Sequence, residues 1–101
     1  NYDGRCAIEA YKRLMKVQAQ NHIMMVVSDG QPSPEPGYVL RAAIAEMRKS
    51  IPVVGFGLSY HGIVSYYGKE ASVVCKVSDL AAKMGGVLKR VLGIGTLRKM
   101  A

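Results

Sequence analysis

The sequence predicts a three-layer α/β domain with a mainly parallel β-sheet, and three observations carry that expectation. Its 101 residues suffice for one domain with a real core, and half of them are hydrophobic. Short apolar runs, too brief for helices, alternate with longer segments whose apolar residues recur at helical spacing. Strands that alternate with helices form parallel sheets, covered on both faces and linked by right-handed crossovers.

Residues 4–18 open the pattern as a helix. Ala7, Ile8, Tyr11, Leu14 and Met15 share one side, while Arg5, Glu9, Lys12, Arg13 and Lys16 occupy the other. Asp3 stands at the N-cap position, where a carboxylate accepts from the free amides of the first turn. Residues 22–27 are apolar on both faces and end in Ser28-Asp29-Gly30, as a buried parallel strand requires. This reading puts Val26 in the central strand. Three prolines make residues 31–37 a loop.

Helical spacing returns over residues 38–49, with Leu40, Ala43, Ile44 and Met47 on one stripe. Residues 51–58 form the second strand, with Pro52 tolerated at its start. A short helix over 63–67 closes at Gly68, and a third strand spans 72–77. Asp79 caps a last helix striped by Leu80, Met84, Val87, Leu88, Val91 and Leu92. The architecture is Rossmann-like, and ligands in such sheets sit beyond the carboxyl ends of the strands. Ser28-Asp29-Gly30 and residues 59–62 therefore lie on the functional edge.

Composition narrows the function classes. Fourteen Lys and Arg against seven Asp and Glu give a net charge of +7. Residues 76–101 hold six of the bases (Lys76, Lys83, Lys89, Arg90, Arg98, Lys99) and one acid, Asp79. Nothing resembles a zinc finger, a basic region with heptads or an aromatic RNA-binding platform, so nucleic-acid binding ranks low. No apolar run approaches the ~20 residues of a membrane span. Two cysteines, Cys6 and Cys75, form no CxxC pair, which points to a reducing, cytoplasmic setting. Both read as small buried hydrophobes, and Met24, Met25, Met47 and Met84 as core filler.

Asp29 is the foremost candidate for chemistry: it follows an apolar strand and precedes a glycine, which sets a carboxylate at the sheet edge. The competing reading is a turn residue. Asn1 and Asp3, just before the first helix, bring oxygen ligands to the same edge or serve as caps. His61, beside Tyr60 on the edge, has no second ligand at zinc spacing and reads as a partner contact. Gly55 and Gly57 imitate a dinucleotide fingerprint without its third glycine or spacing, and residues 93–96 lack a Walker-type lysine.

The ordered set is Asn1-x-Asp3-Gly4, then Val27-Ser28-Asp29-Gly30-x-Pro32, then Gly55-Phe56-Gly57-Leu58, Tyr60-His61, Tyr66-Tyr67 and Gly85-Gly86. Over residues 1–92 it resembles the later part of a von Willebrand factor A domain. Within that superfamily it is most similar to the carboxyl-terminal domain of the CobT-type cobaltochelatase subunit. The resemblance implies a metal-ion-dependent adhesion site in which magnesium is held by three loops. The third-loop Asp corresponds to Asp29, with Ser28 beside it. The second-loop position falls at Asn1 or Asp3, in place of the usual Thr. Tyr60 and His61, in a loop on the same edge, are the candidate partner contacts.

The first loop's Asp-x-Ser-x-Ser motif is absent from these residues, so the expectation is a truncated domain rather than a degenerate half-domain, with residues 93–101 as a basic tail. The function implied is non-catalytic: a metal-dependent protein-binding domain of a chelatase accessory subunit. It would act with a AAA+ ATPase subunit and the larger chelatase subunit in cobalt insertion during cobalamin biosynthesis. A small magnesium-dependent hydrolase is the alternative from another class, and it lacks a recognisable base or nucleophile. A basic nucleic-acid-binding fragment is the third reading.

Overall fold

A computed structural model describes residues 3–16, 22–31 and 34–91. The elements run α1 (Asp3–Met15), β1 (Met24–Ser28), α2 (Gly37–Met47), β2 (Val53–Leu58), α3 (Ile63–Tyr67), β3 (Ser72–Cys75) and α4 (Leu80–Val91). Turns of 3-10 helix at Lys69–Ala71 and Val77–Asp79 flank β3. The sheet order is β1-β2-β3 and both pairings are parallel. Each new strand is added on the same side of the last. Crossovers of one hand then place α2 and α3 on the same face of the sheet. The α/β expectation holds, with helices on both faces.

The alternation of side chains along β2 explains how the two faces differ. Val54 and Phe56 point to one face, where they pack with Val87 of α4, and Leu80 and Met84 support them from the same helix. Val53, Gly55 and Gly57 point to the other. There Ile44 and Met47 of α2, Ile63 and Tyr67 of α3 and Ala7 of α1 build the larger core. Gly55 and Gly57 belong to this packing and not to a nucleotide loop. A side chain at Gly55 would collide with the Tyr67 ring, and one at Gly57 with the Tyr60 carbonyl. Arg48, just past α2, donates from Nη2 to the carbonyls of Val53 (3.2 Å) and Tyr67, tying α2 to β2 and α3.

Some expectations are corrected. The central strand is β2, and β1 is an edge strand in which Val27 is 41% exposed. Apolar content on both faces did not distinguish them. Cys75 is buried as expected, but Cys6 is exposed, because it falls beside the apolar stripe of α1. Asp3 is the first residue of α1 rather than the residue before it. The third strand stops at Cys75, since the chain turns into 3-10 geometry at Val77. The stripe on α2 is buried as read. Asn1, Pro32, Leu92 and the basic tail at 93–101 lie outside the described residues.

Candidate functional site at the carboxyl edge of the sheet

The end of β1 turns away through two short-range hydrogen bonds. Ser28 Oγ accepts from the Gly30 N–H at 3.2 Å, and Asp29 Oδ1 accepts from the Gln31 N–H at 3.0 Å. Small polar side chains that bond to backbone two residues on are the usual device for such a turn. Gly30 takes φ +83°, and a Cβ there would lie 2.8 Å from the Tyr60 ring. Only glycine meets both demands.

Tyr60 is held over this turn by the end of β2. Ser59 has φ 51°, an uncommon value for a residue with a side chain, and its N–H donates to the Cys75 carbonyl of β3 at 2.9 Å. The kink turns the chain back so that the Tyr60 ring packs on the larger core beside Gly30 and Gly62. Ser28, Asp29 and Tyr60 thus come together. His61 is exposed and does not line the cavity beside them.

That cavity has a volume of about 670 Å³ and reaches from the Ser28–Gly30 turn along β1 to α1. Its lining includes Glu35, which sequence reasoning passed over. Glu35 Oε1 accepts from the Gly4 N–H at 2.6 Å, and Oε2 from the Arg5 N–H at 3.4 Å. A carboxylate from the proline loop therefore caps α1, the task expected of Asp3. Gly4 permits the approach, since a Cβ there would lie 2.8 Å from Glu35 Oε1. The available signal was an acid fixed between Pro34 and Pro36 in a loop otherwise without charge.

Asp29 and Glu35 line the cavity together, with no Lys, Arg or His among the lining residues, in a chain of net charge +7. The edge is a locally acidic spot on a basic molecule. Its donors are carboxylate and hydroxyl oxygens, which suit a hard cation such as magnesium. Their number falls short of a protein-built shell: among the described residues, no group of three or more His, Cys, Asp or Glu is placed to hold a metal ion. Asn1 lies outside the described residues, as does the side chain of Asp3, so both stay candidates for the second-loop position. The exposed Cys6 also lines the cavity, with no histidine alongside it.

No protein-family model matches the chain, and no solved structure matches it at a significant level. Among the described residues, no helix is long and apolar enough to cross a membrane.

Proposed function

We propose that this chain is the later part of a von Willebrand factor A-type domain that binds a protein partner through a magnesium-dependent edge. The reading rests on one observation: Ser28 and Asp29 leave the carboxyl end of a parallel strand and face an acidic cavity with oxygen donors. By the resemblance carried by Ser28-Asp29-Gly30 and the ordered motifs around it, the parent protein is a cobaltochelatase-type accessory subunit of the cytoplasm. Its partners are then a AAA+ ATPase subunit and the larger chelatase subunit, in cobalt insertion into a corrin-type ring. Magnesium supplies a point of attraction for a partner carboxylate. Asp29 and Ser28, with Asn1 or Asp3, are the residues that hold it, largely through water, and Tyr60 and His61 border the contact surface.

So few protein ligands predict weak magnesium binding, in about the millimolar range, because this ion gives up its waters reluctantly. NMR titration of the chain with magnesium tests this. The expected result is small shifts confined to residues 28–31, removed by Asp29→Ala. An extension carrying an Asp-x-Ser-x-Ser strand ahead of residue 1 should bind magnesium measurably tighter. The partner claim is tested by capture of a cobaltochelatase-type ATPase subunit on the extended protein, with magnesium and then with EDTA. Capture that ignores both EDTA and Asp29→Ala overturns the reading. So does tight, saturable magnesium binding by the 101 residues alone.

A further inference from the structure

The outer side of α4 holds two glycines that the fold itself has no use for. A Cβ at Gly85 or Gly86 would meet nothing within 4 Å, and neither residue takes a positive φ. Every other described glycine has one reason or the other: Gly55 faces the Tyr67 ring, and Gly68 takes φ 88°. After proline, glycine is the poorest helix former. The pair therefore weakens the middle of the helix that covers the smaller core.

The exposed side of this helix is basic. Lys83, Gly86 and Arg90 stand three and four residues apart and so form one strip, with Lys89 next to it. All three cations are exposed, and among the described residues none of them is in an ion pair. Residues 76–91 hold one acid, Asp79, and no aromatic ring. Arg90 borders a shallow groove with Glu70 and Ala71, just ahead of β3, and Arg48 and Lys49 lie on the same rim. The strip thus lies toward β3, whereas an upstream strand is added beyond β1, at the other edge of the sheet. Its exposure does not depend on that strand. Residues 92–101 bring Arg98 and Lys99 and no acid, a poor electrostatic match for the strip.

We infer that this strip docks an acidic helix of a partner protein, with carboxylates seven residues apart against Lys83 and Arg90 and its backbone close over Gly86. Seven residues are two turns, ~10.5 Å, in either helix, so the opposite charges meet in register. The distance between packed helices follows the side chains at the crossing, and glycine sets it at the short end of ~8–10 Å. Nucleic acid fits less well, because bases find no ring to stack on and two turns of helix reach few phosphates. A second copy of the chain brings a net charge of +7 and is repelled. The inference does not rest on the metal reading, and its test is run in EDTA to keep the two apart.

The probe is a blocked peptide of three repeats of Glu-Ala-Ala-Leu-Ala-Gln-Ala, added to the isotope-labelled full chain at low salt. It should shift the amides of residues 83–90 and leave those of residues 28–31 unmoved. Lys83→Glu and Arg90→Glu should each weaken it about threefold or more. The same peptide with lysine in place of glutamate should bind the doubly reversed variant and not the parent chain. Gly86→Leu should raise the melting temperature, since leucine favours the helix and its Cβ has open space. It should nevertheless weaken the peptide about tenfold or more, by holding the two helices apart. If that variant does not fold, the charge swap decides alone. No shift at several millimolar peptide, or binding indifferent to Gly86→Leu and to charge reversal, overturns the proposal. Equal binding of a scrambled peptide with its glutamates side by side also overturns it, since the spacing is then not read. So does a DNA duplex that shifts the same amides more strongly than the peptide.

Discussion

Two neighbouring strands of similar apolar composition, Met24–Ser28 and Val53–Leu58, end in different surroundings. Val53, Val54 and Phe56 of β2 are at most 5% exposed, and the strand is paired on both sides. In β1 only Met24 is buried, Val27 is 41% exposed, and among the described residues no strand pairs with its outer side. The difference lies less in hydrophobicity than in size. Glycines at 55 and 57 let Tyr67, Ile63 and the Tyr60 carbonyl press onto one face of β2 while Phe56 fills the other. A strand that receives a helix on one face and a large aromatic on the other has to be central. The five residues of β1 contain no such accommodation: Met24 joins the larger core, and all five line the cavity.

A charge placed in each strand should show this contrast most strongly. Val54→Asp puts a carboxylate into the smaller core at a site 5% exposed, without a partner. Burial of an unpaired charge is far more costly than a small domain tolerates, so the variant should not fold. Val26→Asp should behave differently. Val26 is half-buried and lines the cavity, where water reaches it, so the protein should stay folded with a lower denaturation midpoint. Equal loss of cooperative unfolding in both, followed by urea and circular dichroism, would mean that β1 is as enclosed as β2. Phe56→Ala comes next, with an expected loss of about 3–5 kcal/mol. Phe56 is fully buried, and among the described residues Val54 and Val87 are its buried companions in the smaller core.

Periodicity alone revealed the strands and helices, because burial on one stripe or two faces leaves its mark in the order of residues. Leu40, Ala43, Ile44 and Met47 needed no further information. The strand order did not follow from it, since the apolar run of 22–27 looks as buried as that of 51–58. The glycines of β2 held the answer, but their meaning depends on Tyr67 and Ile63 lying close by, which is a tertiary fact. The site was legible in the same uneven way. Ser28, Asp29 and Gly30 stood out because a polar triplet ends an apolar run. Glu35 did not, because its role is to meet α1, 31 residues earlier in the chain. His61 looked equal to Tyr60 in sequence, and only the kink at Ser59 separates the ring that packs from the one that does not.

Glu35 belongs to the smaller effects. Glu35→Ala removes the acceptor for the Gly4 and Arg5 amides and should cost about 0.5–2 kcal/mol, the range for a lost helix cap. Loosening should centre on α1, with faster amide exchange there and little change in α4 on the opposite face. Uniform loss of protection in both helices would show that α1 does not open separately from the rest.

Asp29→Ala should have the smallest effect on stability and the clearest on function. Asp29 is exposed, and its one described bond is to the Gln31 N–H within its own turn. Changes at such positions usually stay within about 0.5 kcal/mol, well below the loss expected at Phe56 in β2. Removing the carboxylate also takes away one of the two acids of the cavity, so magnesium shifts at residues 28–31 should vanish. Asn in place of Asp29 keeps the Gln31 bond but not the charge, and therefore separates the turn from the ligand. If Asp29→Asn retains the magnesium response, the charge at this edge is not what the ion reads. If Asp29→Ala unfolds as readily as Phe56→Ala, the end of β1 is a structural keystone. The edge strand β1 would then be no more permissive than the central strand β2.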